Sequence, residues 1–565
     1  MNSRGLFGKL FRVTARIYKA NITSSASTRK SSISSFFTRA TSRRIAPKPR
    51  RRIFVAAFTG SSVLAVGLVT NPQPFRNEQN KDSEQSDLKS GFQKFRLAEI
   101  ELHHGASERP WVTRGNSVYD ITGWVAAHPG GDVILHAAGG SIDSYWNIFT
   151  IHKRQDVYDI LEQYKIGEVE EADLVDGKVP TKSIRDPFMT DPVLDNRLQI
   201  LTARPCNAET PAEALSDFCT PNETFYVRNH MWVPAIDQCT HRLLVELSDG
   251  TERSYTIQEL KSRFRQHTVT ATLQCAGNRR KDMTKHARQT NGLQWSAGAI
   301  STAEWKGCKL RDVLADAGLN FDNLSPSDNH TQFLGSEAYG ASIPLRKAID
   351  PFGDVILAFQ MNGVDLPPEH GFPLRVVVPG NVAARSVKWL RKIVISDEES
   401  VTQWQRKDYK SFGPNVSKPN WETAKSIQEM PVTSAITSIL NSPCVALEGV
   451  KCKNAHMKVE GYAYSGGGRE IVRVDISADG GATWDQAELL DDVSSGSKAW
   501  CWKRWRYTLG DRSVGRASLM VKATDEAYNT QPQSYESIYN ARGNLATAWH
   551  RVDVEQGTAR GTVRD

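Results

Sequence analysis

The spacing of hydrophobic and polar residues predicts helices and strands mixed through the middle of the chain. In Cys308–Leu319, apolar residues recur at helical spacing, and Gly318 predicts where that helix ends. The continuous apolar run Leu374–Gly380 predicts a fully buried strand instead. We therefore expect residues 191–430 to form a mixed α+β domain.

A different pattern begins after residue 430, where short stretches alternate apolar and polar positions. Three apolar residues predict one buried face of a strand: Val472, Val474 and Ile476. An Asp-Gly-Gly sequence at 479–481 follows and predicts a hairpin turn. Because 519–525 repeats the alternation, we expect residues 431–560 to form a β-sandwich.

The segment 92–170 predicts a small α+β domain. Val118–Thr122 has the composition of a short strand, and Trp124–Gly140 predicts a turn, a helix and a glycine stop. An acidic and then loop-like stretch follows, so residues 171–190 are expected to be a hinge between two domains.

The first 91 residues carry sorting signals rather than a packed domain. Residues 1–52 are rich in Arg, Lys, Ser and Thr with scattered apolar residues, which is typical of a mitochondrial transit peptide; a disordered basic tail is the alternative. The apolar segment 53–69 reaches only the lower limit for a membrane span. Together they predict a bipartite signal for the mitochondrial intermembrane space, or else a membrane-anchoring helix, followed by a linker at 70–91.

Charge is distributed unevenly along the chain. The net charge is +8, but residues 1–77 hold 15 Lys and Arg and no Asp or Glu. Residues 78–565 therefore hold 56 basic and 63 acidic residues, a net charge of −7. Because the excess of basic residues lies within residues 1–77, the net charge of the chain does not indicate nucleic-acid binding.

Two histidines in the small N-terminal domain suggest a haem site. His128 lies in the sequence His-Pro-Gly-Gly, where small residues let the backbone approach a flat ligand, and His152 follows 24 residues later. Neutral imidazoles are good axial ligands of haem iron.

A single cysteine beside several cations marks the candidate catalytic stretch. Thr268–Lys281 passes from β-branched residues to Cys275, a small turn, two arginines and a lysine. A thiolate at a strand end can bind a soft metal, and adjacent cations can bind an oxyanion. The alternative for Cys275 taken alone is an inert core cysteine. The usual motifs for nucleotide binding, zinc proteolysis and serine hydrolysis are absent.

These motifs together resemble two known families. The run from Val118 to the His-Pro-Gly-Gly turn, with the second histidine, resembles the cytochrome b5 family, which implies a b-type haem. Sequence blocks at 225–234, 272–280, 292–301, 339–345, 370–380, 384–390 and 404–412 resemble the sulfite oxidase family of molybdenum enzymes, whose animal-type members also carry a haem domain. The resemblance covers about 92–555 and implies an immunoglobulin-like C-terminal dimerisation domain.

The resemblance implies roles for individual residues. Cys275 would be the protein thiolate on molybdenum. The substrate pocket would comprise Arg228, Arg280, Arg542, Trp295 and Tyr409. The molybdopterin cofactor would be bound by Phe225, Tyr226, Val227, Arg228, Asn229, His230, His370, Arg375, Ser386, Val387 and Lys388. One departure from the animal pattern is a shortened loop, FLGSEAYG, in which Ser336 or Glu337 either replaces a cofactor contact of the family or leaves it missing.

The activity implied is oxidation of sulfite to sulfate with oxygen from water. One molybdopterin and one haem per subunit would pass electrons to cytochrome c, in a homodimer. Two alternatives remain. A nitrate reductase-like enzyme would place its haem module after the molybdenum domain and end in a flavin reductase, an order this sequence lacks. A membrane-tethered b-haem carrier would need no molybdenum.

Overall fold

The computed structural model describes residues 93–125, 128, 131–148, 152, 155–180, 187–416, 418–441, 457–491, 498–509 and 516–555. The predicted transit peptide (1–52), sorting segment (53–69) and linker (70–91) lie outside the described residues. Within the described ranges, no helix is both long enough and apolar enough to cross a membrane.

The first group of elements forms a five-stranded sheet with short helices. Its strands are β1 (Gln93–Phe95), β2 (Trp111–Arg114), β3 (Ser117–Asp120), β4 (Gly140–Ser141) and β5 (Lys165–Val169). Its α-helices are α1 (Leu97–Leu102), α2 (Asp143–Ile148) and α3 (Gln155–Glu162). The strand order is β1-β5-β3-β2-β4. The helix predicted within Trp124–Gly140 is a 3₁₀ helix at Gly131–Ala137.

The central part contains three sheets and four α-helices. Its strands are β6 (Gln199–Ala203), β7 (Cys206–Glu209), β8 (Val227–Arg228), β9 (Arg242–Glu246), β10 (Glu252–Thr256), β11 (Gln266–Gln274), β12 (Ile300–Lys309), β13 (His330–Gly335), β14 (Gly340–Pro344), β15 (Ile356–Met361), β16 (Val364–Asp365), β17 (Arg375–Val377) and β18 (Leu390–Ser396). Its helices are α4 (Ile257–Arg263), α5 (Arg280–His286), α6 (Leu310–Ala317) and α7 (Leu345–Ile349).

The strand orders are β6-β7-β8, β10-β9-β18-β13-β14 and β11-β12-β15-β16, and β17 pairs with β15. Helix α6 ends at Gly318, whose φ of 115° is a left-handed conformation that suits glycine. The predicted buried strand around β17 is also observed, since Leu374, Val376 and Val378 are fully buried.

The C-terminal part packs two four-stranded sheets against each other. Its strands are β19 (Thr433–Asn441), β20 (Met457–Tyr464), β21 (Ile471–Ser477), β22 (Asp485–Gln486), β23 (Glu488–Leu489), β24 (Lys503–Leu509), β25 (Arg516–Asp525) and β26 (His550–Glu555). The orders are β19-β20-β24-β23 and β22-β21-β25-β26, with one apolar cluster drawn from both sheets.

The expected burial of Val472 is wrong. This side chain is 44% exposed, whereas Val474 and Ile476 are buried. The register of β21 against β25 shifts between Ile471 and Arg473, and this bulge reverses the direction of side chains on one side of it. Alternation alone therefore assigned the wrong face to one residue.

A buried arginine joins the central part to the C-terminal sandwich. Arg279 is fully buried, and its guanidinium donates to the Asp282 carboxylate at 3.0 Å, the Ser434 carbonyl at 2.9 Å and the Tyr535 hydroxyl at 2.5 Å. Residues 434 and 535 lie before and after most of the sandwich in sequence. Arg279, to which the sequence assigned no role, therefore stabilises this junction.

Candidate functional site

Cys275 follows the last residue of β11 and is held by backbone hydrogen bonds. Its N–H donates to the Ala299 carbonyl at 2.9 Å, and its sulfur accepts from the Gly277 N–H at 3.4 Å. The residue is only 6% exposed. A Cβ on Gly277 would lie 2.4 Å from Nη2 of Arg280, so this turn needs glycine for the guanidinium to pass so close.

The thiol opens into a cavity of about 640 Å³, with its solvent-filled mouth included. Twelve lining residues were expected from the sequence: Phe225, Tyr226, Arg228, Asn229, His230, Cys275, His370, Arg375, Ser386, Val387, Lys388 and Tyr409. The other six are Leu273, Glu337, Tyr339, Ala383, Ala384 and Trp389, of which only Glu337 was considered from the sequence. The cavity thus brings together segments from 225 to 409.

Four expected residues are outside this lining. Val227 packs in a small apolar cluster with Leu198 and Ala208. Trp295 is buried in the apolar cluster that includes Cys275. Arg280 and Arg542 also fall outside the lining residues described.

Two cations along the cavity, the buried Arg375 and the half-buried Lys388, have no carboxylate hydrogen-bond partners among the described side chains. Arg375 donates to the carbonyls of His370 and Ser386 at 2.9 and 3.0 Å, and its Nε has no partner within the described part of the chain. Lys388 donates to Asn229 Oδ1 and to the Glu369 carbonyl. Burial lowers the pKa of Arg375 to about 10 and, with Arg375 nearby, that of Lys388 to about 7.

This donor set fits an anionic cofactor. A phosphate would give the unused Arg375 N–H an acceptor and would favour the charged form of Lys388. The Nδ2 of Asn229 is a further buried donor with no partner in the described structure. The residues present therefore match the phosphate-bearing molybdopterin that the resemblance implied.

Two histidines on the cavity wall, the half-buried His230 and the buried His370, have lowered pKa values. Burial, followed by the nearby Arg228, lowers the pKa of His230 far below its usual value. Burial and Lys388 lower the pKa of His370 to about 3. The Tyr409 hydroxyl lies 3.3 Å from Nε2 of His230, so the neutral hydroxyl can donate a hydrogen bond to the neutral imidazole ring.

A returning C-terminal segment completes the wall behind Cys275. Nε of Arg280 donates to the Arg542 carbonyl at 2.7 Å, and the Leu545 N–H donates to the Ala276 carbonyl at 2.7 Å. The Arg542 side chain forms an ion pair with Asp408 at 2.9 Å. Burial lowers the pKa of Arg280 to about 10, the Cys275 thiol opposes this shift, and Arg228 and Arg542 add to it.

The two haem-ligand candidates lie next to each other. The ring centres of His128 and His152 are 6.4 Å apart, with an angle of 31° between the rings. Two metal–imidazole bonds of about 2 Å, plus about 1 Å from each nitrogen to its ring centre, give about 6 Å. Burial, then His128, lowers the pKa of His152 to about 4, so the ring is neutral as a ligand requires.

Tyr339 and Asp408 were not assigned to the site from the sequence, whereas Glu337 was named there as one of two residues that could replace a cofactor contact. The Tyr339 hydroxyl donates to the Ala384 carbonyl at 2.9 Å and its ring stacks on His230. For Asp408, the only indication in the sequence was its position next to Tyr409. For Glu337, the shortened loop was the signal.

Three family models match the chain in succession. They are the cytochrome b5-like heme/steroid binding domain at 96–170, the oxidoreductase molybdopterin binding domain at 230–404 and the Mo-co oxidoreductase dimerisation domain at 424–557. These matches assign both cofactors and confirm the predicted fold class.

Full-length relatives agree with these matches. Sulfite oxidase of Gallus gallus is 45% identical over 81% of this chain and 99% of its own. Mitochondrial sulfite oxidase of Homo sapiens is 43% identical over 81% of this chain and 83% of its own. The solved sulfane dehydrogenase SoxCD from Paracoccus pantotrophus is 27% identical, with a TM-score of 0.52, over 63% of this chain and 85% of its own. Because the chain is 45% identical to a sulfite oxidase that it covers over 99% of its length, the protein belongs to the sulfite oxidase family.

Proposed function

We propose that this protein oxidises sulfite to sulfate at a molybdopterin centre held by Cys275, and passes the electrons through a b-type haem to cytochrome c. The observation that carries the proposal is the cavity itself. A single buried cysteine thiol lines the same cavity as two cations, the buried Arg375 and the half-buried Lys388, whose hydrogen-bond acceptors in the described structure are all neutral. When bound, the molybdenum cofactor supplies the oxygen-atom transfer and two-electron redox chemistry.

The chain's own residues divide into two charged groups. Arg375 and Lys388, with the amide of Asn229, are proposed to bind the cofactor phosphate. Arg228, Arg280 and Arg542 are proposed to hold the sulfite dianion near the thiol. Fixed guanidinium groups suit this task because they remain charged and bind oxyanions through paired N–H groups.

Tyr409 is proposed to orient the substrate rather than to act as a base. Burial raises the pKa of its hydroxyl, so the group donates a hydrogen bond at neutral pH. Neutral His230, 3.3 Å away, can accept that hydrogen bond until the substrate replaces it. Trp295, buried behind Cys275, is proposed to support the pocket through packing.

Electron transfer is proposed to use His128 and His152 as axial haem ligands. Cytochrome c as acceptor, a homodimer formed by residues 431–560 and location in the mitochondrial intermembrane space are further parts of the proposal. The mitochondrial names of relatives and the match to a dimerisation domain support them. Light scattering on the purified protein tests the dimer directly.

The decisive experiment is sulfite-dependent reduction of cytochrome c by the full-length protein, with nitrate reduction as the control. We expect rapid cytochrome c reduction with sulfite, no nitrate reduction, and one molybdenum per haem by elemental analysis. Haem without molybdenum in correctly matured protein, with no sulfite turnover, would favour an electron carrier instead.

A further inference from the structure

Arg114, the last residue of β2, is packed against two aromatic rings of the cytochrome b5-like domain. Its Cζ atom lies 4.4 Å from the ring centre of Tyr158 in α3 and 4.7 Å from that of Trp146 in α2. Its Nη2 atom donates to the Tyr158 hydroxyl at 3.0 Å. Because a cation is attracted to the face of an aromatic ring, both rings and the hydrogen bond hold the guanidinium group in one place.

The same stack of side chains continues to a proposed ligand of the haem iron. Trp146 is buried, and its ring lies on that of His152, with the ring centres 4.8 Å apart and an angle of 27° between the rings. His152 in turn lies beside His128. With a metal–imidazole bond of about 2 Å, these spacings put the guanidinium carbon within about 13 Å of an iron bound by His152.

The positive charge of Arg114 is not neutralised by the side chains that surround it. Within the described part of the chain, Arg114 forms no ion pair, and its side chain donates to the neutral Tyr158 hydroxyl. Its buried Nε atom has no acceptor among the described residues. By contrast, Arg109 forms an ion pair with Asp120 at 2.6 Å. Arg114 therefore presents an uncompensated, partly buried unit charge to the haem site.

A fixed positive charge near a haem favours the reduced iron. Reduction adds one electron and lowers the positive charge of the iron by one unit, so a nearby cation stabilises the reduced state relative to the oxidised state. At an effective dielectric constant of about 20, a unit charge about 13 Å away changes an equilibrium constant by about tenfold. Because Arg114 is partly exposed, screening by solvent reduces this effect to about threefold.

We propose that Arg114 raises the reduction potential of the b-type haem, acting through its stack on Trp146 and His152. This inference rests on the proposed binding of the iron by His128 and His152. The charge makes the haem a stronger acceptor of electrons from the molybdenum centre and a weaker donor to the final acceptor. Arg114 thereby sets how electrons are shared between the two cofactors.

The test is a potentiometric titration of the full-length protein, followed through the haem absorption bands. Arg114→Gln removes the charge but keeps a planar group that can stack and donate a hydrogen bond. Arg114→Lys keeps the charge but removes the planar group. Arg109→Leu is the matched control, because Arg109 also lies over a tryptophan, with its Cζ atom 5.9 Å from the Trp111 ring, but is paired with Asp120.

We expect the equilibrium constant for haem reduction to fall about three- to tenfold in Arg114→Gln. At 59 mV per tenfold change for a one-electron couple, the midpoint potential decreases by about 28–59 mV. Arg114→Lys and Arg109→Leu should both stay within about twofold of the unchanged protein, because the first keeps the charge and the second removes an exposed ion pair. Haem content and the absorption spectrum should be the same in all of them.

Four other results would overturn parts of this inference. An unchanged potential in Arg114→Gln would refute the proposal, and loss of haem from both Arg114 variants would indicate a merely structural role. An equal decrease in Arg114→Lys would refute an effect of charge. A decrease of the same size in Arg109→Leu would refute the role of the stack. If the unchanged protein lacked the absorption spectrum of a haem with two histidine ligands, the ligand assignment itself would be wrong.

Discussion

Replacing Arg279 with leucine should destabilise the junction between the central part and the C-terminal sandwich. Leucine keeps a Cβ at the left-handed backbone position (φ 62°), so the change isolates the guanidinium group. It leaves the Asp282 carboxylate, the Ser434 carbonyl and the Tyr535 hydroxyl without their shared donor. Removing one partner of a buried ion pair costs about 3–5 kcal/mol. At about 2 °C per kcal/mol for a large folded unit, Tm should fall by about 6–10 °C.

The pH dependence of this loss has a definite sign. In the parent, burial opposes ionisation of Asp282, but Arg279 and His550 lower its pKa. The carboxylate therefore contributes stability above its unfolded pKa, and this is lost as pH falls through the folded pKa. Without Arg279, burial raises the folded pKa, so the penalty is greatest at neutral pH and decreases on acidification.

Differential scanning calorimetry of the loaded protein at several pH values between 4 and 7 measures both effects. The exposed Arg288→Leu is the matched control, and its Tm should change by less than about 1 °C. If the Tm of Arg279→Leu decreased by less than about 2 °C, or if the decrease did not depend on pH, Arg279 would not be the buried cation of this network.

Three further variants address the redox centres. Cys275→Ser should abolish sulfite oxidation while the haem absorption spectrum stays intact, and concurrent loss of haem would contradict separate cofactor modules. Arg228→Gln should mainly raise KM for sulfite, by about tenfold, because a charge-assisted hydrogen bond to the dianion is lost; unchanged steady-state kinetics would exclude this arginine from the substrate pocket. His152→Ala should lose haem by absorption spectroscopy yet keep molybdenum by elemental analysis, and a retained haem band would require another axial ligand.

The sequence was most informative where chemistry depends on residue type within a short motif. The pair His128 and His152 was proposed from spacing, and the structure brings the rings to 6.4 Å. Cys275 and most expected cofactor residues line one cavity, because their strand ends and loops meet at the same wall. Their individual roles stay predictions.

Features that depend on distant contacts could not be read from local patterns. In the sequence, Arg279 cannot be distinguished from a surface arginine, because its partners Ser434 and Tyr535 are more than 150 positions away. Val472 follows a regular alternation, yet a bulge set by pairing with β25 turns it outward. Glu337 was one of two loop residues considered for a cofactor contact, and only the folded structure shows that it is buried at 4% exposure.

The hydrogen bonds from residues 540–545 to the Cys275 turn have a consequence for biosynthesis. Arg280 and Arg542, which meet at this wall, are 262 positions apart in sequence. At about 5–20 residues per second, a ribosome needs about 13–50 s to make the intervening chain. During that interval the turn after Cys275 lacks its hydrogen bonds to residues 542 and 545. The turn after Cys275 therefore gains these hydrogen bonds only when nearly the whole chain has been made, and a chain terminated before residue 540 would lack them.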